Sequence, residues 1–258
     1  MPVLYQLRDG VAIVTLSRPE AMNAVDPEMR VELREVWRQV SENDAVRCVI
    51  LTGAGDKAFC TGSDLKKTMP PAESFAQLAF SGSGQPHMTA GMDMDTPILC
   101  AINGDAFGAG LELALACDIR LASRNARFGL PEVRLGTLPG GGGTQRLPRL
   151  VSPSDAMKIL LTGNRFDAAE AHRIGLVSDV LEAADLMPAA LAIAGRIAQN
   201  APLSVRAVKR LVRTGMDMPL DKALQTEHYV FGLLRDTEDR IEGRRAFQEK
   251  RAPVYRGR

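Results

Sequence analysis

Apolar and polar positions change rhythm along this chain, and each rhythm predicts an element. VLYQL and VAIVTL, within residues 3–16, flank Asp9-Gly10, a pair suited to the positive φ of a tight turn, and predict a β-hairpin closed by Arg18-Pro19. Residues 27–41 switch to helical spacing, with Met29, Leu33, Val36, Trp37 and Val40 on one face, Asp26 as N-cap and Pro27 at the first helical position. A short buried strand is expected at 48–51. The loop TGAGDKAFCTGSDLKK follows and enters a helix near Asp64.

Residues 68–95 are irregular, with a helix expected from about Glu73, a break at 81–86 and a second short helix before Pro97. Met88, Met92 and Met94 suit either core filling or the wall of an acyl pocket, and specificity is expected to reside here. Residues 97–132 then predict a strand (98–102), a glycine-rich loop (104–110), a short helix opening near Leu111, a strand (119–122) and a turn ending at Pro131-Glu132. Four glycines at 140–143 permit close backbone approach, either to a ligand or to a packed helix. Helical patterns at 153–161 and 167–173 precede a strand-like run at 176–180. After Leu186 only helices are predicted, at 188–199, 202–213, 219–235 and 237–249. That change places a boundary near 195, between a core of 1–195 and a helical region of 196–258.

Candidate chemistry concentrates in the glycine loops. A glycine loop that feeds a helix leaves backbone N–H groups without intrahelical partners, at the end where the helix dipole attracts negative charge. Glu112 lies in the first turn of that helix within the apolar run LELALAC, where a carboxylate is costly to bury unless it has donors or a task. Taken alone it fits equally an acid that complements the dipole. The loop before Asp64 is of the same kind, so the two turns can aim donors at one point. Neither a Gly-Lys-Ser/Thr loop nor a GxGxxG after a strand is present, and SGSGQ at 81–85 lacks the nucleophile-elbow spacing.

Composition narrows the class. With 45% hydrophobic and 24% charged residues the chain is an ordinary globular one, and a net charge of +1 argues against a dedicated nucleic-acid binder. Basic residues do gather late, at 206–213 and 240–258, which leaves room for a local anionic ligand. Cysteines 48, 60, 100 and 117 and histidines 87, 172 and 228 show no metal-ligand spacing, and reduced thiols in a cytoplasmic protein are expected. No signal-peptide pattern opens the chain, and no apolar run is long enough to span a membrane.

Six segments together carry a resemblance: RPEAMNAV (18–25), KAFCTGSDL (57–65), AINGDAFGAGLELALACD (101–118), FGLPEVRLGTLPGGGGTQRLPRLV (128–151), LTGNRFDAAEAHRIGLVSDV (161–180) and EGRRAFQEKRAP (242–253). In this order they are similar to the enoyl-CoA hydratase/isomerase, or crotonase, family over nearly the whole chain. The resemblance implies an α/β fold, a spiral of repeated ββα units followed by a C-terminal helical region that makes a homotrimer or hexamer. It implies a coenzyme A thioester as substrate and no metal or redox cofactor.

Carried over by position, the resemblance implies an oxyanion hole from the backbone N–H groups of Ser63 and Ala109 and catalysis by Glu112 and Glu132. Substrate contacts are implied at Ala21, Ala58, Ser63, Asp64, Leu65, Lys66, Ala109, Pro131 and Gly140. The glutamate pair favours hydration of a 2-enoyl thioester over a Δ3,Δ2-enoyl isomerisation or another dehydration. Glu112 is assigned to the attacking water and Glu132 to the proton for C2, unless the two share the water and exchange roles. A non-catalytic acyl-CoA-binding protein is disfavoured because both acids and both donor turns are intact. Ala109, Thr61, Ser63 and Leu130 depart from common family residues, which puts simple crotonyl-type specificity in question.

Overall fold

A computed structural model describes residues 1–68 and 88–258. Strands β1 (Val3–Arg8) and β2 (Val11–Leu16) form the expected hairpin, turning on Asp9 and Gly10 at φ 51° and 78°. A 3-10 turn (Pro19–Ala21) leads to helix α1 (Pro27–Glu42), whose first turn is capped by Asp26 accepting from the Met29 N–H at 2.9 Å. Its buried residues are the five apolar ones that the helical spacing singled out.

From β3 (Cys48–Gly53) onward the chain repeats one kind of turn. β3, β5 (Ile98–Ile102) and β7 (Ile119–Ser123) lie parallel and adjacent in a six-stranded sheet that β1, β2 and β10 (Asp179–Leu181) complete. The strand after each of the three, β4 (Ala58–Cys60), β6 (Asp105–Phe107) and β8 (Arg127–Gly129), crosses to a second sheet, edged by β9 (Phe166–Asp167). Helices α2 (Leu65–Thr68) and α3 (Ala109–Leu115) follow β4 and β6, and a 3-10 turn (Pro131–Leu135) follows β8. The result is the spiral of ββα units that the resemblance implied.

Residues 58–60, read from the sequence as loop, are strand β4; three residues are too few to show alternation. Among the described residues 88–96 no helix leads into Pro97: Met92 N–H bonds the Thr89 carbonyl in a turn, and Gly91 takes φ 90°. The expected helix near Glu73 and the break at 81–86 lie outside the described residues. Met88, Met92 and Met94 are buried in the main core, as gap fillers.

The large sheet separates two apolar layers by its period-two alternation. Val49 and Leu51 face the main core with Trp37, Phe59, Leu111 and Phe128, while Cys48 and Ile50 face a second cluster. Helices α4 (Gly143–Leu150), α5 (Pro153–Thr162) and α6 (Ala168–Arg173) follow the last ββ unit. Helix α7 (Ala183–Gln199) covers the second cluster with Leu186, Ala190, Ala194 and Ala198. It starts at Ala183 rather than at 188, because Pro188 lies on the exposed side and is carried inside the helix. Position 195 falls within α7, one residue past the buried Ala194.

Helices α8 (Pro202–Gly215), α9 (Leu220–Leu234) and α10 (Glu238–Gln248) close the chain. The basic run of α8 is engaged inside the molecule. Lys209 Nζ lies 2.7 Å from Asp118 and donates to the Thr96 carbonyl at 2.8 Å, while Arg210 pairs with Asp95 and Arg213 with Asp93. Among the described residues, no helix is long and apolar enough to cross a membrane.

Candidate active site

The site is assembled where successive turns of the spiral leave the short second sheet. After β4 the chain forms a parallel bridge between Val25 and Ser63: Val25 N–H donates to the Gly62 carbonyl at 2.8 Å and Asp64 N–H to the Val25 carbonyl at 2.9 Å. Parallel pairing of that kind turns the Ser63 N–H away from Val25. After β6, Ala109 is the first residue of α3, so its N–H has no intrahelical partner. Among the described residues no hydrogen bond engages either N–H. The two turns touch, since a Cβ on Gly62 would stand 3.4 Å from the Ala109 nitrogen.

Glu132 follows β8 in the third turn and reaches the second. Its Oε1 lies 3.0 Å from where a Cβ on Gly108 would stand, and Gly108 takes φ 52°, a conformation that side chains rarely adopt. Oε2 of Glu132 is buried and, among the described residues, has no hydrogen-bond partner. Burial pushes this carboxyl above the usual carboxylate range, its own backbone N–H offsets part of the rise, and the charge of Glu112 adds to it. Such a group holds its proton to higher pH than an exposed glutamate.

Glu112 is only 3% exposed, one helical turn into α3. Its Oε1 accepts from Gly141 N–H at 2.7 Å and from Gly143 N–H at 2.8 Å. Those two donors were not singled out in the sequence reading, which placed a substrate contact at Gly140 instead. Gly140 is exposed, and a Cβ there would meet only the Leu138 carbonyl, at 4.0 Å. The signal was present: a glycine run ahead of a helix offers several N–H groups with no side chain to keep a carboxylate away.

Comparison with known proteins shows the family of the chain. The family described as enoyl-CoA hydratase/isomerase matches residues 6–258. The chain belongs to that family. It is 51% identical over 257 residues to the (E)-benzylidenesuccinyl-CoA hydratase of Thauera aromatica, covering 100% of both chains, and 41% identical over 249 residues to the crotonyl-CoA hydratase of Syntrophomonas wolfei, covering 96% of this chain and 95% of that one. The crystal structure of an enoyl-CoA hydratase from Bacillus anthracis superposes over 100% of both chains with a TM-score of 0.92 at 38% identity.

The remaining positions expected from the hydratase/isomerase pattern fall in three places. Ala21, in the first 3-10 turn, and Ala58, at the start of β4, are linked through buried Asn23, whose amide donates to the Ala54 and Ala58 carbonyls at 2.9 and 2.8 Å. Asp64, Leu65 and Lys66 stand at the entry of α2, with Leu65 and Lys66 exposed. Asp64 Oδ2 is 3.1 Å from Arg18 Nη2, and Arg18 also lies 3.4 Å from Asp26, so one guanidinium joins the cap of α1 to the Ser63 turn. Burial pushes the Asp26 carboxyl up, but bonds from Lys67 and Met29 and the Arg18 charge hold it below the usual range. Pro131 is half-buried at the start of the turn that carries Glu132.

Of the departures from common family residues, Thr61 donates to the Met22 carbonyl at 3.3 Å, and Leu130 is fully buried beside Gly143. Among the described residues, no group of three or more His, Cys, Asp and Glu side chains is placed to hold a metal ion.

Proposed function

We propose that this member of the family adds water reversibly across the 2,3-double bond of an enoyl-CoA thioester. The observation that carries the reading is the convergence of Glu132, half-buried with its Oε2 shut from solvent, on the same glycine turn that presents the Ala109 N–H. Glu112 takes the proton of a water whose oxygen bonds to C3, the π electrons move onto the thioester oxygen, and the N–H groups of Ser63 and Ala109 hold that oxygen. One such donor is typically worth about 3 kcal/mol in the transition state. Glu132 then protonates C2, a task that suits a carboxyl kept protonated to higher pH. No separate cofactor enters the scheme, because coenzyme A is part of the substrate. Ala21, Ala58, Asp64, Leu65, Lys66 and Pro131 are assigned to its binding.

Self-association as a homotrimer or hexamer is part of this proposal, as is a cytoplasmic location. Leu220 and Leu233 on α9 and Phe247 on α10 are 73, 76 and 86% exposed, which supports an interface on the C-terminal helices. The four free, buried cysteines suit a reducing compartment.

The test follows the loss of conjugated-enoyl absorbance on a panel that includes crotonyl-CoA, longer 2-enoyl-CoAs and (E)-benzylidenesuccinyl-CoA. Turnover that disappears in Glu112→Gln and Glu132→Gln supports the hydratase reading and reveals the acyl preference. Tight acyl-CoA binding with no hydration, together with conversion of a 3-enoyl-CoA, would overturn it in favour of the isomerase.

A further inference from the structure

The glycine run at 140–143 presents a physical difficulty. Four consecutive residues without side chains have the largest conformational freedom a chain can have, yet two of their N–H groups must stay aimed at one carboxylate oxygen of Glu112. Something outside the run has to select that conformation. Arg146 is built to do so. It sits in the first turn of α4, whose side chains lean back toward the helix N-terminus, and its Nη1 donates to the Gly141 carbonyl at 2.7 Å.

That carbonyl belongs to the peptide linking Gly141 to Gly142. The N–H groups that hold Glu112 belong to the peptides on either side, at Gly141 and Gly143. A grip on the middle peptide therefore narrows the directions open to both flanking donors. The Thr89 hydroxyl approaches the same carbonyl at 3.4 Å, a longer and weaker contact than that of the guanidinium. A second observation supports the placement. Gly142 takes φ 110°, and a Cβ there would stand 2.0 Å from Arg146 Nη1, so the guanidinium lies directly over the glycine and any side chain would displace it.

Arg146 forms no ion pair among the described residues, and nothing in the proposed hydration step gives it a substrate atom to touch. We infer that Arg146 is a positioning residue for hydration: it locks the 141–142 peptide and thereby holds Glu112 in the orientation that the attacking water needs. The inference rests on the hydratase reading for its kinetic consequence, but its structural content stands apart from it.

The experiment uses the full chain with Arg146→Ala and Arg146→Lys, the best thioester of the panel, and amide hydrogen exchange at Gly141 and Gly143. Displacing a reacting group by about an ångström costs on the order of 100-fold, so Arg146→Ala should lose about 10- to 100-fold in kcat with KM changed less than about twofold. Guanidinium ion at sub-denaturing concentration should restore part of kcat in Arg146→Ala and none in wild type, and Arg146→Lys should fall between. Exchange at the two glycine amides should rise by about tenfold or more in Arg146→Ala while the strands of the large sheet keep their protection.

Unchanged exchange at Gly141 and Gly143 would overturn the proposal, whether or not any thioester is turned over. A kcat loss that tracks the fraction of unfolded protein and ignores guanidinium would overturn it as well. If wild type hydrates nothing on the panel, the hydratase reading fails alone, and the exchange measurement still decides the role of Arg146.

Discussion

Glu112 has a structural and a chemical duty that two substitutions separate. Its Oε1 is the acceptor for the Gly141 and Gly143 N–H groups, at 2.7 and 2.8 Å, in a site where the Gly143 end is buried. Glu112→Ala removes the acceptor and leaves both donors without it. A donor stranded out of reach of water costs about 1–3 kcal/mol, and the Gly141 end is partly open to solvent, so a total of about 2–4 kcal/mol is expected. In a chain of this size each kcal/mol moves Tm by roughly 2–4 °C, which predicts a fall of roughly 5–15 °C. Glu112→Gln keeps a carbonyl oxygen at the same position and should stay within about 1 kcal/mol of wild type.

The kinetic expectation runs the other way. Gln cannot take a proton from water, so both variants should lose about 100- to 10,000-fold in kcat despite the difference in stability. Thermal unfolding and the enoyl-absorbance assay on the same preparations give the two readouts. Glu112→Ala melting with wild type would refute the account of the glycine donors. Glu112→Gln retaining wild-type turnover would refute the base.

Three further outcomes follow from the geometry. The Glu132 carboxyl is raised by burial, so the native state binds its proton more tightly than the unfolded chain, and wild type loses stability as pH rises through the raised value. Glu132→Gln should remove that loss: it should be more stable than wild type at neutral pH and equal to it below the ordinary carboxylate range, as read from Tm against pH, while losing hydration. Gly108→Ala places a Cβ 3.0 Å from Glu132 Oε1 at φ 52°, with strain of about 1–3 kcal/mol, and activity should fall further than Tm because the displaced atom is the acid itself. Lys209→Met breaks a pair whose lysine side chain is 7% exposed, leaves the Asp118 carboxylate with the Ile98 N–H as its one hydrogen-bond donor among the described residues, and should cost about 2 kcal/mol, with limited proteolysis reaching α8 first.

The long elements and Glu112 carry signals that survive in one dimension, whereas Glu132 was reached only through the family resemblance. Helix α1 was legible from five apolar positions and an N-cap, and Glu112 from its isolation in LELALAC. Strands β4, β6 and β8 were not, since each has three residues and is specified by neighbours far along the chain. Gly141, Gly143 and Arg146 escaped for a related reason. Their meaning depends on which carboxylate the glycine run meets, and that carboxylate lies on a helix of an earlier turn. The late basic runs left room for an anionic ligand, and which of their charges are already engaged was not legible: Lys209, Arg210 and Arg213 pair with Asp118, Asp95 and Asp93 of the same chain.

Those unread short strands are what make the site possible. Their parallel register sets Cys60 beside Ala106 and Ala106 beside Phe128, so the chain leaves β4, β6 and β8 at one edge of the small sheet. Just past that edge stand Ser63, Ala109 and Glu132 in turn. Each comes from an equivalent point of a successive ββα unit, and each brings a different group: a backbone N–H, a second N–H with Glu112 one helical turn behind it, and a half-buried carboxyl. Repetition of one fold unit therefore explains the convergence without any special long-range contact. A shift of one residue between β4 and β6 would exchange the faces of the strand and carry the Ser63 N–H away from that of Ala109. The bidentate pairing of Arg127 with Asp105, at 2.9 and 2.6 Å, ties β8 to β6 in the same register and holds the third unit to the second.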